Sequence, residues 1–101
     1  MRYCLLDQAC ELLRAHGVVR SRSDFSVSWL GQSECYFRTL HCRKAEPSLG
    51  VMAVCASRMQ RAGEMLIATE GFRHVGERFL YVADKCHEIV NEDAMELELA
   101  A

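Results

Sequence analysis

No apolar run in this chain approaches the ~20 consecutive residues that a membrane-spanning helix needs, so no membrane anchor is expected. No signal-peptide pattern opens it, and no Cys-x-x-Cys pair occurs among its six cysteines (4, 10, 35, 42, 55 and 86). Cys35 and Cys42, seven residues apart with His41 adjacent, lack the spacing of a tetrahedral zinc set. The thiols therefore read as reduced side chains of a cytoplasmic protein, several of them buried as small hydrophobes. Alternating apolar and polar runs bounded by turn pairs are missing, which leaves no strand to assign. Also missing are a glycine-rich phosphate loop, a His-Glu-x-x-His pair and a nucleophile elbow. His16, His41, His74 and His87 are scattered, so no catalytic residue, cofactor or metal is assigned.

What is present fits one small core. The chain has 101 residues, 50% of them apolar, and a single proline, enough for one domain and too little for two. Its formal charge of -2 conceals an asymmetry: residues 1–44 hold seven Arg/Lys against four acids, and residues 45–101 hold five against ten. A basic front and an acidic back imply two faces with different partners.

The periodicity is helical throughout. Tyr3, Leu6, Ala9/Cys10 and Leu13 recur at three-to-four spacing and predict a first helix ending at Gly17. Ser23 is the expected N-cap of a short second helix carrying Phe25, Val27 and Trp29-Leu30, closed by Gly31. Ser33 is the expected cap of a third helix with Tyr36, Phe37 and Leu40 inward and Glu34, Cys35, Arg38, Thr39 and His41 outward. Pro47 is expected in the first turn of a fourth helix that is apolar on nearly every side from Ser48 to Cys55 and so central. Whether Met65-Leu66-Ile67 extend that helix past Gly63 or start a separate turn stays open. Beyond Gly71, the stripe Phe72, Val75, Phe79, Val82, Cys86 and Ile89 predicts a last helix of five to six turns with an acidic outer face. The division expected is a core over about 1–70, a C-terminal helix over 71–94 and a fraying tail over 95–101.

Trp29-Leu30-Gly31, apolar Phe37 and Leu40 at six and nine positions past that glycine, and then Pro47-Ser48-Leu49 form a pattern. It resembles the helix-turn-helix domain of the phage-repressor (lambda repressor and Cro) type. Met52, Ala53, Cys55, Ala56 and Met59 continue the likeness, and Leu13-Arg14 with Gly17-Val18 extends it upstream, over about residues 12–59. Phe25 stands six residues before Gly31 where the family usually has its apolar residue five before, and Gln32 replaces an aliphatic residue. A second helix one residue longer, with Trp29 filling the gap, reconciles both departures. The resemblance implies an all-α, five-helix compact bundle containing a helix-turn-helix, with an added C-terminal helix.

It also implies double-stranded DNA as partner and a role as a transcriptional regulator. The base-facing candidates are then Ser33, Glu34, Cys35, Arg38 and Thr39, and the phosphate-facing candidates Arg20, Arg22, Arg43 and Lys44. Arg38 suits guanine O6/N7 and Glu34 suits the cytosine amino group. Tyr36 and Phe37 read as core rather than as a stacking pair for single-stranded bases. A homodimer is expected by analogy, its candidate face being Phe72, Val75, Phe79, Val82 and Ile89 unless the bundle itself buries that stripe. The rival reading is a protein-interaction module, an antiactivator or inhibitor that has lost DNA affinity and captures a protein partner with its acidic C-terminal helix.

Overall fold

The first helix stops where its sequence runs into glycine. Gly17 adopts φ +72°, and the Val18 and Gly17 amides bond back to the carbonyls of Leu13 (2.9 Å) and Arg14 (3.0 Å), satisfying acceptors that the helix end leaves open. The computed structural model describes the backbone of residues 2–100 and the side chains of residues 2–92. It contains α1 (Arg2–Ala15), α2 (Arg22–Ser28), α3 (Tyr36–Arg43), α4 (Leu49–Ala68) and α5 (Arg73–Ala100), with no strand among the described residues. The all-α, five-helix architecture expected from periodicity is the one observed. No helix is long and apolar enough to cross a membrane among the described residues.

Three helix starts differ from the sequence reading, those of α2, α3 and α4. Ser21, not Ser23, caps α2: its Oγ accepts the Asp24 amide at 3.2 Å, and the Asp24 carboxylate accepts the Arg20 amide at 3.0 Å. That amide, helped by the Ser28 hydroxyl, holds the Asp24 carboxyl below its ordinary range. Ser48 caps α4 through the Val51 amide at 3.2 Å, which leaves Pro47 before the helix, where it is buried as a hydrophobic residue.

Helix α4 runs unbroken through Gly63 to Ala68, so Met65-Leu66-Ile67 belong to it. It is buried on one face rather than on nearly every side: Val51, Met52, Cys55, Ala56 and Met59 point inward, whereas Ser57 and Arg58 are exposed. Gly63 persists in mid-helix because α5 passes there. A Cβ on Gly76 would lie 2.7 Å from the Gly63 carbonyl oxygen and 2.8 Å from the Ile67 amide nitrogen. The two helices thus touch backbone to backbone, in the most extensive contact of the fold. Helix α5 carries on to Ala100 instead of ending near 94; the side chains of 93–101 lie outside the described residues.

Leu6, Leu13, Phe25, Leu30, Phe37, Met52, Met59 and Phe79 are buried in one cluster that joins all five helices. At around 25 cal/mol per Å² of apolar surface, such burial offsets the chain entropy of so small a domain. Within the cluster the Phe37 ring stacks on Tyr3 (centroids 5.1 Å) and meets Phe25 edge-on (5.2 Å). The apolar stripe of α5 supplies the same core: Phe79, Val82 and Cys86 are buried, Val75 and Ile89 are partly covered, and Phe72 is exposed. Of the five residues considered for a dimer or partner face, Phe79 and Val82 are therefore taken by the monomer's own packing.

Candidate nucleic-acid interface

Helices α2 and α3 are joined through Gly31, which takes φ +68° where an L side chain would be strained. The pair is locked by a residue between them. Ser26 is fully buried; its hydroxyl accepts the Phe37 amide at 3.1 Å and its carbonyl accepts the Gln32 amide at 3.0 Å. Phe37 sits in the first turn of α3, where amides have no helical partner. Ser33, expected to cap α3, does not: its carbonyl accepts the Tyr36 amide at 3.1 Å, and the N-cap position falls to Cys35, which makes no side-chain cap bond. Helix α3 consequently starts at Tyr36, and Ser33, Glu34 and Cys35 lie exposed on the turn leading into it.

The outward face of α3 presents Arg38, Thr39, His41, Cys42 and Arg43. Arg38 reaches back over the helix start, its Nη2 donating to Cys35 Sγ at 3.3 Å. Arg43 and Lys44 are exposed at the far end, where Lys44 closes the helix in the left-handed region (φ +53°) with its amide bonded to the His41 carbonyl. Arg20 is exposed ahead of α2. Arg22 does not stand with these free cations. Its guanidinium bonds the Tyr3 hydroxyl (3.1 Å), pairs with Asp7 (3.0 Å) and Glu11 (3.9 Å), and covers the Phe37 ring at 5.3 Å. The buried Asp7 Oδ1 makes no hydrogen bond, so Arg22 is its compensation. A phosphate would have to displace that ion pair, and Arg22 leaves the set of phosphate candidates.

A family model described as "Family of unknown function (DUF6626)" matches residues 6–99. The chain belongs to the DUF6626 family. No curated protein and no solved structure matches it.

Two residues of this DUF6626 chain support the surface without having been singled out from its sequence. Arg58 of α4 donates to the Ser28 carbonyl at 2.8 Å, placing a cation at the C-terminal end of α2 and beside Gly31. Nothing local in the sequence marks that contact, which spans thirty residues. Ser26 did leave a signal: it lies four residues before buried Leu30, on the inward face of α2, where a polar residue needs a partner. Replacing it by alanine strands the buried Phe37 amide and is expected to cost about 1–3 kcal/mol. Urea unfolding measures that loss, and faster amide exchange at Phe37 than elsewhere in α3 locates it.

The six thiols of the DUF6626 chain divide evenly: Cys4, Cys35 and Cys42 are exposed, and Cys10, Cys55 and Cys86 are buried. Burial pushes the Cys10 thiol up to about 11. A hydrogen bond shared with Cys86, together with burial, pushes the Cys55 thiol well above its ordinary range. Both groups are thus neutral at physiological pH, as packing residues should be. No cluster of three or more His, Cys, Asp or Glu side chains converges on a point among the described residues.

Proposed function

We propose that α2, its turn and α3 act as a helix-turn-helix and that this protein binds duplex DNA as a sequence-specific regulator. The observation that carries this reading is the exposed polar face of α3, held against the bundle by the buried Ser26–Phe37 bond and backed by Arg58. A reading helix must be fixed in orientation before its side chains can select bases, and these contacts supply the fixing. Because α3 starts at Tyr36, the base-facing work falls on Arg38 and Thr39, with Ser33, Glu34 and Cys35 approaching from the turn. Arg20, Arg43 and Lys44 are the cations left for phosphates.

Selection from a pool of random duplex DNA at about 0.1 M salt tests this, since screening at that strength still lets a modest basic patch act over ~10 Å. Enrichment of a short motif is expected. Arg43→Glu should then weaken binding on every sequence and lower the salt slope by about 1, whereas Arg38→Ala should relax preference at one base pair by roughly 1–3 kcal/mol. Equal affinity of wild type and Arg43→Glu, or no enrichment from folded protein, rejects DNA as the ligand.

Two observations favour the alternative of a protein-capturing module. Arg22 is spent on Asp7 and Glu11, and the carboxylate of Glu34 stands exposed at the head of α3, where it repels phosphate. On this reading charge reversal at Glu88 and Glu92 abolishes partner capture and leaves folding intact, while the DNA selection stays blank.

A further inference from the structure

A groove of about 510 Å³ runs between α1 and α5. Its floor is apolar, made by Leu12, Ala15 and Val82. At its edge stands Tyr81, 60% exposed, with the Lys85 ammonium 5.4 Å from its ring centre. Flanking the groove are charges of opposite sign on opposite walls: Glu11 on α1 and Arg78 on α5. Glu11 keeps half its surface in solvent while pairing with Arg14 and, more distantly, Arg22, and Arg78 makes no ion pair or hydrogen bond among the described residues.

We propose that a second copy of this chain covers this groove, in a two-fold dimer. A two-fold interface requires one patch to be complementary to itself. This patch is: a projecting aromatic lies beside a hollow with an apolar floor, and a free cation faces an anion across that hollow. Rotation about an axis through the groove seats Tyr81 of each copy over the floor of the other and brings Arg78 of each toward Glu11 of the other. Aromatic anchors with an adjacent arginine are the residues that carry most of the energy of such contacts. The face shares only Val82 with the α5 stripe considered from sequence, and there Val82 serves as floor. The inference stands whether or not the protein binds DNA.

Sedimentation equilibrium on the full chain at about 0.1 mM, where a micromolar dimer is fully populated, decides it. The wild type should run as a dimer. Tyr81→Glu and Arg78→Glu, both at exposed positions, should each lose the dimer while keeping the helical circular dichroism of the parent. Met65→Glu removes a more exposed apolar side chain (67%) that does not line the groove, and it should stay dimeric. A monomeric wild type, a dimer indifferent to Tyr81→Glu, or dissociation by Met65→Glu to the same extent overturns the proposal.

Discussion

Gly76→Val should be among the most damaging single changes in this protein. The new Cβ would lie 2.7 Å from the Gly63 carbonyl oxygen and 2.8 Å from both the Ile67 amide nitrogen and Ile67 Cγ1. Two of those three atoms are backbone and cannot turn aside, so α4 and α5 must separate along their widest contact. Ordinary overpacking costs about 1–3 kcal/mol. Against rigid backbone the loss should reach about 3 kcal/mol or more, well above the ~0.3–0.5 kcal/mol that replacing glycine by valine returns in helix propensity. Gly63→Ala makes a sharp control. Its nearest obstacles are Cγ and Cδ2 of Leu80 at 2.9 Å, a side chain that can change rotamer, with the Gly76 carbonyl next at 3.1 Å. Urea unfolding of the two variants should rank Gly76→Val far below Gly63→Ala. A Gly76→Val protein within about 1 kcal/mol of wild type would show that the helices do not approach so closely.

Phe37→Ala should be comparably severe for a different reason. The ring is fully buried between Tyr3, Phe25 and the Arg22 guanidinium, so its removal opens a cavity beneath three helices at once. Such truncations cost about 3–5 kcal/mol, a large part of the ~5–15 kcal/mol that holds a domain of this size together. A thermal melt should fall by about 4–8 °C for each kcal/mol lost. Phe37→Leu, which keeps most of the volume, should recover most of that fall. The comparison separates packing from any role of the exposed face of α3, since Phe37 presents nothing to solvent.

The parts of this fold that a reader can take from the sequence are those fixed locally. Gly17, Gly31 and Gly71 all take positive φ at the ends of elements, as their positions between periodic runs suggest. Phe25, Phe37, Leu40 and Phe79 fall on apolar stripes and are buried as the spacing demands. What could not be read are choices between equally good local partners. Ser21 and Ser23 are both sound N-caps, and the decision rests on the return bond from Asp24 to the Arg20 amide. Ser33 has the right chemistry for α3 but loses to Ser26, eleven residues from the amide it serves. Arg22 stands where a phosphate contact would be expected, yet Asp7 and Tyr3 of another helix claim it. Gly63 resembles a helix stop until Gly76 is seen against it. Apart from the α2 cap, which a local bond decides, each miss is a tertiary partner overruling a local preference, which is also why Arg58 gave no warning.

The manner in which the helices are joined sets where this molecule can yield. Helices α4 and α5 approach main chain to main chain at two glycines, Gly63 and Gly76. Helices α2 and α3 contact each other closely but reach the remaining helices chiefly through side chains, Phe25, Phe37, Arg22 and Arg58 among them. Side-chain struts can bend at their rotamers, whereas abutting backbones cannot. Mechanical compliance is therefore concentrated in the α2–α3 half, and a partner pressing on that half deforms it while the α4–α5 hairpin behaves as the stiff frame.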